Sequence, residues 1–203
     1  MHGKGALVIA QPTKAKLEGP ASAWQLYQGS QQQLVRAGLR AVWDRFGFRR
    51  GIDEVILSPL HGPLVADALV GPYDYTWRGR PPAEVAAHVA NTSVIERLQM
   101  AVAGHDLVLV LLSKTYLRPL RLREWVPATA PQRWLFLVSG EGLPFAPAGT
   151  NVRFIAAGMA EARRERVKAL DLKAHLFRNI CLQVAERGPS ALETAWEAAA
   201  PSM

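Results

Sequence analysis

The sequence predicts an α/β protein: a three-layer sandwich around a mostly parallel sheet of about five strands. Two observations carry this expectation. Short apolar runs near residues 6, 54, 107, 134 and 152 read as strands, and segments with helical spacing of apolar residues separate most of them. One run, Leu107 to Leu112, has no polar break at all, as expected of a strand covered on both faces of a parallel sheet.

In chain order, the first strand is Ala6 to Ala10, and Pro12 ends it. The loop from Gln11 to Lys16 follows at the strand's carboxyl end. Lys14 and Lys16 stand there either to meet an anion or as ordinary solvated lysines. Gly19 and Pro20 mark a turn. Ser30 reads as the N-cap of a helix to about Phe46, with Val35, Leu39, Val42, Trp43 and Phe46 on its apolar stripe and Arg36 and Arg40 on a solvated side.

The second strand, Val55-Ile56-Leu57, opens the most informative stretch of the chain. It leaves through Ser58-Pro59-Leu60-His61-Gly62-Pro63, and the stretch closes on Gly71-Pro72-Tyr73-Asp74-Tyr75. Ligands of open α/β sheets bind outside the carboxyl ends of the strands, so a hydroxyl, an imidazole and a carboxylate placed there mark a candidate site. The same Gly, Pro, Ser and Asp also make a sound loop by local hydrogen bonding.

Pro81 and Pro82 precede a helix over roughly Ala83 to Ala103, with Asn91-Thr92-Ser93 as a break point. The strand at Leu107 exits through Ser113, Lys114 and Tyr116. Arg118, Arg121 and Arg123 then alternate with Leu117, Leu120 and Leu122. They read equally as phosphate-cradling arginines or as the snorkelling face of an amphipathic helix. Trp134 to Val138 and Val152 to Ile155 complete the strands. A helix is expected from about Glu161 to Glu186, with Cys181 on its apolar stripe as a packed thiol. Arg163, Arg164, Arg166 and Lys168 would crowd the first turns of that helix, where the dipole disfavours cations unless Glu161, Glu165 or a bound polyanion offsets them. Residues 1–160 are expected to form the α/β core domain and 161–203 a C-terminal helical extension packed on it.

Composition narrows the functional classes. The 203 residues are 49% hydrophobic, enough for a sizeable core, and carry a formal charge of +7, which favours an anionic partner. Cys181 is the only cysteine, which excludes an intramolecular disulfide and a cysteine-based zinc site and fits a reducing cytoplasm. No apolar run reaches the roughly 18 residues of a membrane span, so no membrane association is expected. Walker, Rossmann, zinc and nucleophile-elbow patterns are lacking, so neither cofactor nor metal is expected.

Two segments carry a resemblance. Lys16 to Tyr27, KLEGPASAWQLY, is similar to a segment of small bacterial proteins of unknown function related to the YaaA peroxide-stress family. Ile56 to Leu64 and Pro72 to Thr76 are similar to a second segment of those proteins. The lysine segment also resembles the catalytic domain of archaeosine synthase, which acts on a 7-deazaguanine base in tRNA, and both groups share a uracil-DNA-glycosylase-like α/β architecture. The resemblance implies Lys16 as the reactive residue, with Ser58, Gly62, Tyr73 and Asp74 in the pocket.

The expected partner is therefore a nucleic acid, or a nucleobase or nucleotide ligand. One reading is an enzyme acting on a (deaza)purine base or its glycosidic bond, with Lys16 as nucleophile and Asp74 or His61 moving protons. Lys14, Tyr27, Ser58, Gly62, Tyr73, Ser113 and Tyr116 would then bind the ligand. The other is a non-enzymatic DNA- or RNA-binding protein of stress-response type, using Arg118, Arg121, Arg123, Arg163, Arg164, Arg166 and Lys168.

Overall fold

A computed structural model describes residues 5–129 and 132–201. Residues 1 and 203, the outer limits of the expected core and extension, lie outside the described residues. The first half of the chain runs β1 (Ala6–Ala10), β2 (Ala21–Ser22), α1 (Ala23–Leu26), α2 (Ser30–Phe46), β3 (Ile52–Ser58), β4 (Gly62–Val65), β5 (Leu69–Val70), α3 (Pro82–Asn91) and α4 (Val94–Val102). The second half runs β6 (Leu107–Val110), α5 (Lys114–Leu120), α6 (Leu122–Trp125), β7 (Arg133–Val138), β8 (Val152–Ala156), α7 (Met159–Glu165), α8 (Leu172–Arg187), α9 (Ser190–Glu197) and β9 (Ala200–Pro201).

The main sheet has seven strands in the order β4-β3-β1-β6-β7-β8-β9. The inner five are parallel and are the five expected strands. The two edges, β4 and β9, run antiparallel to their neighbours. β4 escapes a pattern reading because it begins with Gly62 and Pro63, residues that ordinarily mark turns.

Alternation along β1 shows why both faces must be covered. Leu7 and Ile9 pack with side chains of α3, α4 and α5, while Ala6 and Val8 pack with those of α2 and α8. The result is the three-layer sandwich. From β1 the chain crosses through α2 to β3 on one side, and later returns through α3 and α4 to β6 on the other. The direction of winding thus reverses between β1 and β6, which places the natural ligand crevice of an open sheet at their carboxyl ends.

Beyond residue 160, α8 lies along α2 and contributes Phe177, Cys181 and Val184 to the same core as Val35, Leu39 and Val42. Gly38 permits the close approach: a Cβ there would sit 3.0 Å from the Arg178 Cα. Cys181 is fully buried and free, and burial pushes its thiol well above the usual range. It is the packed thiol the stripe predicts.

The expected helix from Glu161 to Glu186 is two helices. Arg166 takes a left-handed conformation, φ 56°, and ends α7. Arg163 and Arg164 therefore occupy the last turn of a short helix, where the dipole favours cations, and the expected conflict with the dipole disappears. The break at Asn91-Thr92-Ser93 is present, with Ser93 left-handed at φ 47° between α3 and α4.

Candidate functional site

Lys16 enters the site through a short antiparallel contact. The Leu17 N–H donates to the Leu26 carbonyl and the Gln28 N–H to the Ala15 carbonyl, both at 2.8 Å, so Lys16 and Tyr27 are direct cross-chain partners. Arg36 fixes the far side of this contact by donating to the carbonyls of Trp24 and Tyr27, each at 2.9 Å. Arg36 is thus half-buried and structural, not part of a solvated helix side. Thr13 adds a hydroxyl that accepts the Gly29 N–H at 2.9 Å.

Ser58, the last residue of β3, is fully buried. Its Oγ accepts the backbone N–H groups of His61 at 3.1 Å and Leu60 at 3.3 Å, and donates to Tyr73 Oη at 2.8 Å. Tyr73 Oη is in turn 2.9 Å from Tyr27 Oη. The Ser58 proton is aimed at Tyr73, and either phenol can be the donor of the bond between Tyr73 and Tyr27. The His61 ring stands edge-on to Tyr73, 5.1 Å between centroids.

The Lys16 amine lies over this cluster, 4.4 Å from the Tyr73 ring centre and 6.0 Å from that of Tyr27. Its hydrogen-bond partner is the Lys14 carbonyl at a long 3.4 Å, and no carboxylate of the described residues lies within ion-pair distance. Lys14, Lys16, Tyr73 and exposed Asp74 line an open depression of about 580 Å³. Burial lowers the Lys16 amine from its ordinary value, Asp74 pulls it back up, and Lys14 adds a smaller downward push. The amine is neither isolated from carboxylates nor locked to one.

Burial also pushes the Tyr27, Tyr73 and Tyr116 phenols upward. All three remain protonated hydroxyls at neutral pH and do not act as bases there. His61 is lowered by burial and then by Arg97, which favours the neutral imidazole. Arg97 is anchored by donating to the carbonyls of His61 at 2.7 Å and Pro63 at 2.8 Å.

The structure thus brings together Lys14, Lys16, Tyr27, Ser58, His61, Tyr73 and Asp74. Tyr116 is buried in α5 and stacks at a tilt on Trp77, 5.1 Å between centroids. Ser113 precedes α5, and its N–H is held by Gln11 Oε1 at 2.8 Å, which ties the exits of β1 and β6 together. Gly62 has a conformational role: its φ is +71°, and a Cβ would press on the Arg97 guanidinium at 3.0 Å. The seven basic residues expected to bind nucleic acid are divided between the two helical layers. Arg118, Arg121 and Arg123 belong to the layer of α5 and α6, with Arg123 donating to the Ala146 carbonyl, whereas α7 and Lys168 adjoin α8 in the opposite layer.

Three buried polar groups were not singled out by sequence reasoning. Gln32 Nε2 donates to Glu54 Oε1 at 2.7 Å inside the core. Lys173, largely buried, donates to the Leu112 carbonyl at 2.5 Å, and burial lowers its amine to about 8. Each had a legible signal. Gln32 sits three residues before Val35 on the α2 stripe, Glu54 shares a strand face with Ile52 and Ile56, and Lys173 is four residues before Phe177.

No family model matches the chain, and no curated protein matches it. Among solved structures, the chain is similar to RosB with a bound intermediate, 8-demethyl-8-formylriboflavin-5'-phosphate, with a TM-score of 0.33 and 10% identity, over 96% of this chain and 86% of that chain. A likeness at that level says nothing of this chain's ligand. Among the described residues no cluster of His, Cys, Asp or Glu is arranged to hold a metal ion, and no helix is long and apolar enough to cross a membrane.

Proposed function

We propose that the chain binds a nucleobase, free or within a nucleic acid, in the depression at Lys16, Tyr73 and Asp74, and acts on that base or its glycosidic bond through the Lys16 amine. The supporting observation is the position of that amine. It lies over an aromatic ring, outside ion-pair distance of any carboxylate of the described residues, with its protonated form disfavoured by burial. A lysine nucleophile needs such surroundings, because only the neutral amine carries a free lone pair.

In the proposed step the Lys16 lone pair attacks the anomeric carbon. The glycosidic bond breaks, and its electron pair leaves with the base. The proton released by the amine passes through neutral His61 or through Asp74 to the departing base. Tyr73 and Tyr27, held protonated, share one hydrogen bond, which leaves one hydroxyl proton of the pair to meet a ring carbonyl or nitrogen. Ser58 fixes Tyr73 and has no direct part in the chemistry.

A second reading, a non-enzymatic DNA- or RNA-binding protein of stress-response type, draws support from Arg118, which is exposed and has no partner among the described residues. Lys16 variants separate the two. Arg keeps a cation but cannot act as an amine nucleophile, and Ala removes both properties. Oligonucleotides and nucleosides are incubated with each protein, and released base is measured by mass spectrometry. The enzymatic reading expects release by the wild type alone. Release by Lys16→Arg at the wild-type rate excludes covalent catalysis, and binding without release by every form favours the second reading.

A further inference from the structure

A separate concavity of about 400 Å³ opens between the turn at Trp77, the start of α3, and α5. Pockets for small organic ligands span roughly 300–1,000 Å³, so its size is that of a ligand site. The lining is apolar at Trp77, Val85 and Pro119, and basic at Arg78, Arg80, Lys114, Arg118 and Arg121, with no acidic residue among the lining side chains.

The five cations differ in their partners. Arg80 pairs with Glu84, donates to the Thr76 carbonyl at 2.9 Å and lies over the Tyr75 ring at 4.3 Å. Lys114 and Arg121 reach Glu141 and Glu124 only at 3.8 Å, in exposed pairs of the kind that contribute little. Arg78 and Arg118 are exposed and make no side-chain hydrogen bond or ion pair among the described residues. Gathering like charges around one concavity opposes folding, and an anion in the concavity reverses that opposition.

The groove also adjoins the lysine site. Trp77 stacks on Tyr116, and Tyr116 in turn lies near Tyr73 and Tyr27 of that site. A ligand with a phosphate at one end and a planar ring at the other matches the chemistry of two such regions.

We infer that this groove holds the phosphate of a nucleotide, free or within a single strand of nucleic acid, with Arg78 and Arg118 as its binding pair. The inference deepens the proposed function and rests on it for the nucleotide nature of the ligand. The two arginine side chains are exposed and hold no other element in place, so replacing them leaves the fold intact.

The test uses isothermal titration of the full chain with uridine and guanosine, their 5'-monophosphates, and a mixed-sequence single strand of about ten nucleotides. Wild type is expected to bind the phosphorylated ligands at least about tenfold more tightly than the nucleosides, a difference well within what charge-assisted bonds to phosphate provide. The Arg78→Ala/Arg118→Ala double variant should lose that advantage and bind nucleosides unchanged. Charge reversal in Arg118→Glu should weaken phosphorylated ligands further. Loss confined to the strand assigns the groove to nucleic acid, with a salt slope reduced by about 1.4 for two lost contacts. Loss that includes the monophosphates assigns it to a nucleotide in general. Phosphorylated ligands that bind the double variant as they bind wild type, or that do not bind wild type, overturn the inference. Lys16→Ala tells the two claims apart: nucleoside binding that survives this substitution removes the proposed base site while leaving the phosphate groove to stand on the arginine variants.

Discussion

Replacing Glu54 by Gln should stabilise the protein above neutral pH and remove much of its pH dependence below it. Glu54 is 1% exposed, in a strand flanked on both sides, and only one of its carboxyl oxygens is bonded, to Gln32 Nε2. The other oxygen and the Gln32 amide oxygen are both buried without a partner among the described residues. A proton on Glu54 Oε2 turns one of those two acceptors into a donor. Burial pushes the carboxyl up to about 7 from 4.5, against the smaller downward pulls of the Gln32 bond and of Arg36. The folded chain therefore binds this proton more tightly than the unfolded chain. The stabilisation is full below about pH 4.5 and is lost as pH rises through about 7. Each tenfold difference in proton affinity between the two states is worth about 1.4 kcal/mol, so the loss is about 3 kcal/mol. For a chain of this length, each kcal/mol moves Tm by about 2–4 °C. Urea and thermal melts of wild type and Glu54→Gln at pH 5 and pH 8 measure the difference. The variant should gain on wild type as pH rises, by an amount of this order. Parallel pH profiles for the two proteins would refute the reasoning.

Two further outcomes follow from other buried groups. Lys173 has the opposite sign: its amine is lowered to about 8 from 10.5, so the folded chain holds fewer protons in that window and stability rises as pH climbs through it. In Lys173→Met that rise should vanish, with a stability gain at pH 7 of up to about 3 kcal/mol less the lost Leu112 bond; urea midpoints between pH 7 and 10.5 report it. Tyr73→Phe removes the acceptor of the Ser58 hydroxyl and the partner of Tyr27, and should cost about 1–3 kcal/mol for the buried groups left unpaired, read as a fall in Tm. An unchanged Tm would mean that those hydroxyls find other partners.

Much of the sheet was legible because a strand buried on both faces is written as an unbroken apolar run, as at Leu107 to Leu112. The edge strands were not. β4 is four residues beginning with Gly62 and Pro63, and β9 is two residues; neither has room for a period to declare itself. The division of α7 from α8 turns on the left-handed Arg166, a conformation that an arginine's identity does not announce. The grouping of Ser58, His61, Tyr73 and Asp74 was legible because polar residues after a strand in a Gly- and Pro-rich stretch stand out. Glu54, Gln32 and Lys173 stand on legible apolar faces, but periodicity shows which face is buried and not which polar group will find a partner there.

The most direct test of the central claim is equilibrium binding of nucleosides and 7-deazaguanines to wild type, Lys16→Ala and Lys16→Arg. The reading predicts that wild type binds, that Ala weakens binding by about tenfold or more through loss of the amine's hydrogen bond to the ligand, and that Arg, which keeps a donor there, retains much of it. Equal affinity in wild type and Lys16→Ala would remove Lys16 from the site and contradict the account.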